Sequence, residues 1–186
     1  RTRLPRGGRL RRLGSPPVLA LAAPARGKVR TAIIRLVGMR GPEVVASSPH
    51  RSNLAFDVLR CSGDQRLRAM MRLVLRLRRP GIIYCSTTRE VDEIYALLRR
   101  FGAPAHRYHG KMSGGDREKE QDAYMRRGRR TVMVATNAFG LGVDKPDIRY
   151  VLHYQSPASL EQYVQEAGRA GRDGRRSNCI MLYSPE

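Results

Sequence analysis

Apolar and polar positions along the chain follow two different periodicities. Between residues 64 and 77, apolar residues recur at spacings of three and four with arginines between them, which predicts an amphipathic helix. Residues 81–85 are continuously apolar, which predicts a buried strand. A second amphipathic helix is predicted up to Phe101, because Thr87 and Glu90 form a capping box ahead of an apolar stripe.

The alternation of strand and helix continues to the end of the chain. Strands are predicted at residues 105–109, 131–135, 148–154 and 179–183, and helices at residues 115–127 and from Ser156 and Pro157, as cap and first position, to about residue 167. Apolar strands separated by helices are typical of a parallel sheet covered on both faces. We therefore predict an α/β domain, in which ligands bind beyond the carboxyl ends of the strands.

The first fifty residues have a different pattern. Residues 1–17 are rich in arginine, glycine and proline and are expected to form a loop. The apolar run 18–23 predicts a short buried strand, and residues 27–37 predict a helix that Gly38 ends. A stretch rich in proline and serine, residues 41–53, is interpreted as a connector between two units.

The charge of the chain indicates a polyanionic partner. Lysine and arginine number 36 against 16 acidic residues, which gives a formal net charge of +20. Nucleic acid is the first candidate for such a partner. Nearly all of the basic residues are arginines, so a GC-rich coding sequence remains a second explanation for part of the excess.

The cysteines and the apolar runs exclude several other classes. Cys61, Cys85 and Cys179 are far apart in the sequence and form no metal-binding pair, so we expect buried thiols and no zinc or other metal site. No apolar run approaches the length of a membrane span, and none resembles a secretory signal. We expect no membrane partner, and a cytoplasmic location in a bacterium or a nuclear one in a eukaryote.

Hydroxyl groups follow the strand predicted at residues 81–85. Ser86 and Thr87 stand at the start of a helix, where free backbone N–H groups and hydroxyls can hold a phosphate. The alternative is plain helix capping, which the local pattern favours.

A second candidate stretch follows the strand predicted at residues 131–135. Two glycines separated by one residue allow another group to approach the backbone closely. Polar groups surround them, and the candidate residues of this stretch are Thr136, Asn137, Gly140, Gly142 and Asp144. The alternative is a surface turn with an exposed Asp–Lys pair. It does not account for the length and specificity of this stretch of residues.

The third candidate is residues 165–174, which carry Arg169 and Arg172 among glycines and alanine after Gln165. On a continued helix these two arginines would project from one face. Guanidinium groups bind phosphate through a planar fork that lysine lacks. The alternative is a solvated basic helix end, favoured by the helix dipole.

These stretches together resemble the second motor domain of the RecQ family of DNA helicases. The strings YHGKMS, ATNAFGLGVDKPDIRYVLHYQSP and SLEQYVQEAGRAGRDG carry the resemblance, which extends without evident gaps over residues 79–186. Upstream, residues 51–54 (RSNL) resemble the family's R-P-N-L segment. Residues 18–26 resemble a segment that closes the first motor domain, but here the family's threonines are missing and Pro24 intrudes.

The resemblance implies a RecA-like fold, a parallel sheet with helices on both faces, and two parts. Residues 1–50 would be a remnant of the first RecA-like domain with a connector, and residues 51–186 the second. Arg172 would be the arginine finger and Arg169 its companion. The resemblance places Gln165, Asp144 and Gly142 in the nucleotide cleft, and Ser86, Thr87, Thr136 and Asn137 on DNA.

The implied activity is ATP-dependent unwinding of DNA in the 3′–5′ direction, in recombination and repair. ATP and Mg²⁺ would act in the complete enzyme, with single-stranded, branched or duplex DNA as partner. This chain has no G-x-x-x-x-G-K-[ST] loop and no D-E-x-H segment, which belong to the first motor domain. We therefore expect it to be inactive alone. A DEAD-box-type RNA helicase half and a non-catalytic nucleic-acid-binding remnant remain alternatives.

Overall fold

The computed structural model describes residues 17–20, 27–45, 51–126, 130–140 and 143–185. The chain divides into two compact units, Arg1–His50 and Arg51–Glu186. In the first unit, helix α1 covers Gly27–Val37 as the sequence predicts, and Gly38 ends it with φ +70°.

The strand predicted over residues 18–23 is wrong in its first half. Residues 18–20 adopt no regular structure and are exposed, and the rest of that run lies outside the described residues. An apolar run becomes a buried strand only where neighbouring strands and helices cover it, and none covers residues 18–20.

The second unit alternates strands and helices. In chain order they are β1 (Leu54–Arg60), α2 (Asp64–Arg76), β2 (Gly81–Tyr84), α3 (Thr88–Arg100), β3 (Ala105–Tyr108), α4 (Gly114–Met125), β4 (Val132–Ala135), β5 (Tyr150–His153), α5 (Leu160–Ala167) and β6 (Ser177–Tyr183). The strands form one sheet in the order β1-β6-β5-β2-β4-β3, and every neighbouring pair is parallel. The predicted parallel α/β fold is confirmed.

Helices cover both faces of this sheet. On one face, apolar side chains of α2 and α3 pack on Ile83 and its neighbours, with Val91 and Leu98 fully buried. On the opposite face, Tyr124 of α4 and Ala167 of α5 close a second core. Successive residues of β2 face opposite cores, so the short strands at the centre of the sheet are buried on both sides.

Two elements differ from the prediction. Strand β1 was not predicted, because it is an edge strand with Asp57 in its middle and with Phe56 and Val58 exposed. Its strand conformation depends on pairing with β6, more than a hundred residues later. Helix α5 begins at Leu160 rather than near Ser156, because the Ser159 side chain accepts the capping hydrogen bond from Gln162 N.

No helix in the described parts of the chain is long and apolar enough to cross a membrane.

Candidate functional site

An open pocket lies where the sequence predicts one, beyond the carboxyl ends of the central strands. β2, β4 and β5 end side by side there, because β2 pairs with both of the others. Polar side chains line the pocket from the loops that follow these strands (Ser86, Asn137, Gln155 and Ser156), from α5 (Gln162 and Glu166) and from the strand ends (Tyr84 and His153). The structure therefore brings the loops after β2 and β4 together.

The Ser86–Thr87 segment is a helix cap with its local hydrogen bonds already made. Thr87 Oγ1 accepts from Glu90 N at 3.2 Å, and the Glu90 carboxylate accepts from Thr87 N at 3.2 Å. Ser86 N donates to Gln155 Oε1 at 2.9 Å, and Gln155 Nε2 donates in turn to Glu90. The capping interpretation of Thr87 agrees with this geometry, while Ser86 itself is exposed toward the pocket.

The two polar residues after β4 have different surroundings. Thr136 is only 8% exposed, and its backbone N–H donates to Tyr108 O at 3.2 Å. Asn137 is exposed and lines the pocket. Of this pair, only Asn137 therefore presents a side chain that a ligand in the pocket could reach.

A buried His–Glu pair forms the floor of the pocket, and sequence reasoning missed it. His153 Nε2 lies 2.8 Å from Glu166 Oε2, and both side chains are almost fully buried. Gln162 Nε2 donates to the second oxygen of Glu166 at 2.9 Å. A histidine that ends a buried strand was the available signal, but its partner on α5 could be identified only from the fold.

Tyr84 links this floor to the loop after β4. Its ring stacks on His153 with centroids 5.5 Å apart, and its hydroxyl donates to Phe139 O at 3.1 Å. Burial raises the pKa of Tyr84 well above its usual value, although the positive charge of Arg169 partly opposes the shift. The hydroxyl therefore stays protonated near neutral pH and remains a hydrogen-bond donor.

The two arginines stand on a turn after α5 that we call the arginine turn, residues 168–176. The prediction that they share one helical face is wrong. The helix ends at Ala167, and Gly171 adopts φ +55°, which no helix continues. Arg169 is buried and Arg172 is exposed.

The backbone of the arginine turn lies beside the amino end of β5, while the pocket opens beyond the carboxyl end of that strand. Gly171 N donates to Ile148 O at 2.8 Å and Asp173 N to Pro146 O at 3.1 Å, and both acceptors precede β5. The reason is topological, since α5 starts after the carboxyl end of β5 and must return to the amino end of β6. The candidate DNA-contacting and nucleotide-contacting residues therefore lie in two places, joined by the loop after β4.

Arg169 is held against that loop. Its Nη1 donates to Gly140 O at 2.6 Å, while its Nε has no hydrogen-bond partner among the described atoms. A Cβ on Gly140 would lie 2.8 Å from Arg169 Cζ, so the close approach depends on glycine at position 140.

Arg172 reaches the far part of the same loop. Its Nη1 donates to Asp144 Oδ1 at 2.7 Å and to Val143 O at 3.2 Å. The side chains are 37% and 82% exposed respectively, so solvent screens the pair strongly. The structure thus brings Arg172 and Asp144 together, while Gln165 lies exposed on α5 and Gly142 lies outside the described residues.

Across the described ranges, no group of three or more His, Cys, Asp and Glu side chains could hold a metal ion. Cys61, Cys85 and Cys179 are buried free thiols. Burial raises the pKa of Cys179 to about 12, which keeps its thiol protonated and a poor metal ligand at neutral pH.

Fold and site together define a parallel α/β domain that presents two arginines on a turn beside a glycine-containing loop. The model of the helicase conserved C-terminal domain matches residues 65–174. ATP-dependent DNA helicase RecQ of Bacillus subtilis is 40% identical over 172 residues, which cover 92% of this chain and 29% of that protein. ATP-dependent helicase wrn-1 of Caenorhabditis elegans is 40% identical over 178 residues, 91% of this chain and 16% of that protein.

The chain therefore belongs to the family of helicase conserved C-terminal domains, and its similarity to RecQ-type helicases confirms the predicted resemblance. It spans less than a third of either relative's length.

Solved structures with the same fold include DEAD-box proteins. A DEAD-box protein from Methanococcus jannaschii superposes with a TM-score of 0.64 at 27% identity, over 73% of this chain and 37% of that one. Escherichia coli SrmB gives a TM-score of 0.61 at 26% identity, over 69% of this chain and 76% of that one. The RecA-like helicase fold is thus confirmed.

Proposed function

We propose that this chain is the second motor domain of an ATP-dependent 3′–5′ DNA helicase and supplies the arginine finger of its ATP site. The relatives named ATP-dependent DNA helicase support the reaction, and the direction follows from the RecQ resemblance. The observation that carries the proposal is the arginine turn, where Arg169 is anchored in a buried contact and Arg172 is exposed and pairs with an exposed carboxylate.

The two arginines have complementary properties. Arg169 is buried and fixed to Gly140 O, so it stiffens the contact between the turn and the loop after β4. Arg172 is exposed and paired with an exposed carboxylate, an interaction worth no more than about 1 kcal/mol. A multiply charged phosphate therefore competes well with Asp144 for the Arg172 guanidinium.

The pocket beyond β2 and β5 is the proposed contact for the DNA backbone. Ser86 and Asn137 present a hydroxyl and an amide there, and neither type of group reads base sequence when it binds phosphate. The loop after β4 runs from Asn137 to Asp144 and so connects this pocket with Arg172. Thr136 is buried at the start of that loop. We propose that it relays the nucleotide state from the arginine turn to the pocket.

ATP with Mg²⁺ would bind mainly on a first motor domain, with Gln165, Asp144 and Gly142 facing the nucleotide from this one. Residues 1–50 are proposed as a remnant of that first domain and its connector. Because positioned phosphates, metal and water account for most of phosphoryl-transfer catalysis, this chain alone should not hydrolyse ATP. The proposed location is the nucleoid in a bacterium or the nucleus in a eukaryote.

The test is a chimaera in which residues 51–186 replace the matching segment of Bacillus subtilis RecQ. Arg172→Ala should lower DNA-stimulated ATP turnover by at least about 10³-fold, because an arginine supplied to a phosphoryl-transfer site is worth that much. ATP affinity and melting temperature should change little, and Arg172→Lys should rescue poorly because lysine lacks the fork.

Arg176→Ala is the matched control, since Arg176 is an exposed arginine on the same turn. It should retain turnover close to that of the parent chimaera. Parental turnover in Arg172→Ala would remove the finger role, and a large loss of melting temperature would instead identify Arg172 as a structural cap.

Two other functions would use the same fold. The likeness to DEAD-box structures would suit an RNA helicase half, but the relatives at 40% identity are RecQ-type DNA helicases. A non-catalytic nucleic-acid-binding module would bind DNA equally well. If that is the function, Arg172→Ala should not change the ATP turnover of the chimaera.

A further inference from the structure

The segment just before β1 is attached to the arginine turn. Arg51 Nη1 donates to Gly168 O at 3.0 Å, and its Nη2 donates to Gly171 O. Asn53 Nδ2 donates to Gly171 O at 2.8 Å and to Arg175 O at 3.0 Å. Two side chains thus hold three backbone carbonyls of a turn that lies more than a hundred residues away in sequence.

The bonded carbonyls bracket the two functional arginines. Gly168 and Gly171, which Arg51 bridges, flank Arg169. Gly171 and Arg175, which Asn53 bridges, flank Arg172. Glycine and alanine between the arginines offer few side-chain atoms, so these hydrogen bonds help to fix the path of the backbone there, together with those from Gly171 N and Asp173 N.

The backbone conformation of Gly171 and its lack of a side chain allow Asn53 to approach the turn. Gly171 adopts φ +55°, and a Cβ at that position would lie 2.6 Å from Asn53 Nδ2 and 2.7 Å from Ser177 Oγ. The close approach of Asn53 therefore requires both the left-handed conformation and the absence of a side chain.

We propose that Arg51 and Asn53 are positioning residues that hold the arginine turn in the shape from which Arg172 acts. This inference rests on the proposed function. The chemistry of each side chain suits the task, because a guanidinium can donate to two carbonyls at once and a carboxamide NH₂ carries two donors. The lysine ammonium is a single point charge without the guanidinium fork. An aspartate carboxylate has no hydrogen to donate to a carbonyl oxygen.

Amide hydrogen exchange on the chain itself tests the attachment. Arg51→Lys and Asn53→Asp should each accelerate exchange at Gly171, Asp173 and Gly174, whose N–H groups are hydrogen-bonded. The acceleration should be about tenfold or more, since each change removes side-chain hydrogen bonds to the backbone carbonyls of the turn. Amides of β2 and β4 should keep their parental rates.

Arg60→Lys is the control, because Arg60 is an exposed arginine at the far end of β1. It should leave exchange unchanged throughout. Unchanged exchange at the turn in Arg51→Lys and Asn53→Asp would overturn the proposal. So would an acceleration spread evenly over the sheet, since it would assign both residues to overall stability.

The chimaera with Bacillus subtilis RecQ tests the consequence for catalysis. Asn53→Asp should lower kcat at least tenfold, because Arg172 is then misplaced. The KM for ATP should stay near the parental value, because nucleotide binding is not affected. Arg51→Lys should retain more activity than Arg51→Ala.

The two proposals fail separately. Parental turnover in Arg172→Ala would overturn the finger role and leave the exchange result standing. If Arg172→Ala is inactive while Asn53→Asp has parental kcat, the positioning role is wrong and the finger role stands.

Discussion

The backbone carbonyl of Gly140 accepts a hydrogen bond from the Arg169 guanidinium at 2.6 Å, and the guanidinium occupies the space that a side chain at position 140 would need. This contact joins the loop after β4 to the arginine turn. Because Arg169 is buried, it has little freedom to move aside.

Gly140→Ala should therefore lower the free energy of unfolding by about 1–3 kcal/mol, as expected for overpacking at a buried contact. Gly115→Ala is the matched control, because a Cβ there meets open space near the start of α4. It should leave stability unchanged or raise it by about 0.4–1 kcal/mol. Urea denaturation of the three chains measures both effects, and equal midpoints for Gly140→Ala and the parent would contradict the prediction.

Neighbouring hydroxyls at the start of α3 should have different roles. Thr87→Ala should cost about 1 kcal/mol of stability, because the capping box is lost. Ser86→Ala should change stability by no more than about 0.5 kcal/mol and should instead weaken binding of single-stranded DNA. Urea denaturation and fluorescence anisotropy with a labelled oligonucleotide separate the two. If Ser86→Ala binds DNA like the parent, Ser86 has no place in the contact.

The ion pair between Arg149 and Asp173 should make stability depend on pH at the acidic end. Its N–O distance is 2.6 Å. Burial by itself would raise the pKa of Asp173, but hydrogen bonds from Arg149 and from Arg175 N outweigh it and the net pKa is lowered. Because the pKa is lowered in the folded state, the ion pair contributes its full stability above the unfolded-state pKa of about 3.9. That stability is lost as pH falls through the folded-state pKa.

Asp173→Asn should consequently be less stable than the parent near pH 7, by less than about 1 kcal/mol for so exposed a carboxylate. The difference should shrink as pH falls below the unfolded value, about 3.9, and should vanish once Asp173 is protonated in the folded state as well. In an Arg149→Gln background, Asp173→Asn should cause a smaller pH-dependent loss, because the interactions with Arg149 are gone and mainly the hydrogen bond from Arg175 N is left. Denaturation midpoints from pH 2 to 7 test this, and a difference that persists at the lowest pH would assign the effect to something other than the charge.

Binding of single-stranded DNA should be weak, independent of base sequence and steeply dependent on salt. The net charge of +20 provides the attraction, and the pocket residues offer no base-reading arrangement. Titration of oligonucleotides of different sequence at rising salt concentration measures both properties. Asn137→Ala should weaken binding of every sequence by the same factor. Affinity that does not change with salt would contradict an electrostatic contact.

The fold was predicted in most of its parts because its signals are local. The capping box at Thr87 and the continuous apolar run of β2 each depend on a few neighbouring residues. The quoted family strings likewise needed no folded structure, and they were sufficient to predict the RecQ-type domain. Strand β1 was missed because an exposed edge strand has no such signal and depends on β6 for its hydrogen bonds.

The sequence alone determined the class of domain and the arginine and glycine residues that carry its candidate chemistry. Tertiary structure decided which of them meet. It placed the arginine turn beside the amino end of β5, because α5 must return from the carboxyl end of β5 to the amino end of β6. It also joined Gly140 to Arg169, His153 to Glu166, and Asn53 to Gly171. Such pairs are fixed by strand order and by the direction of helix return, and no periodicity along the chain encodes either.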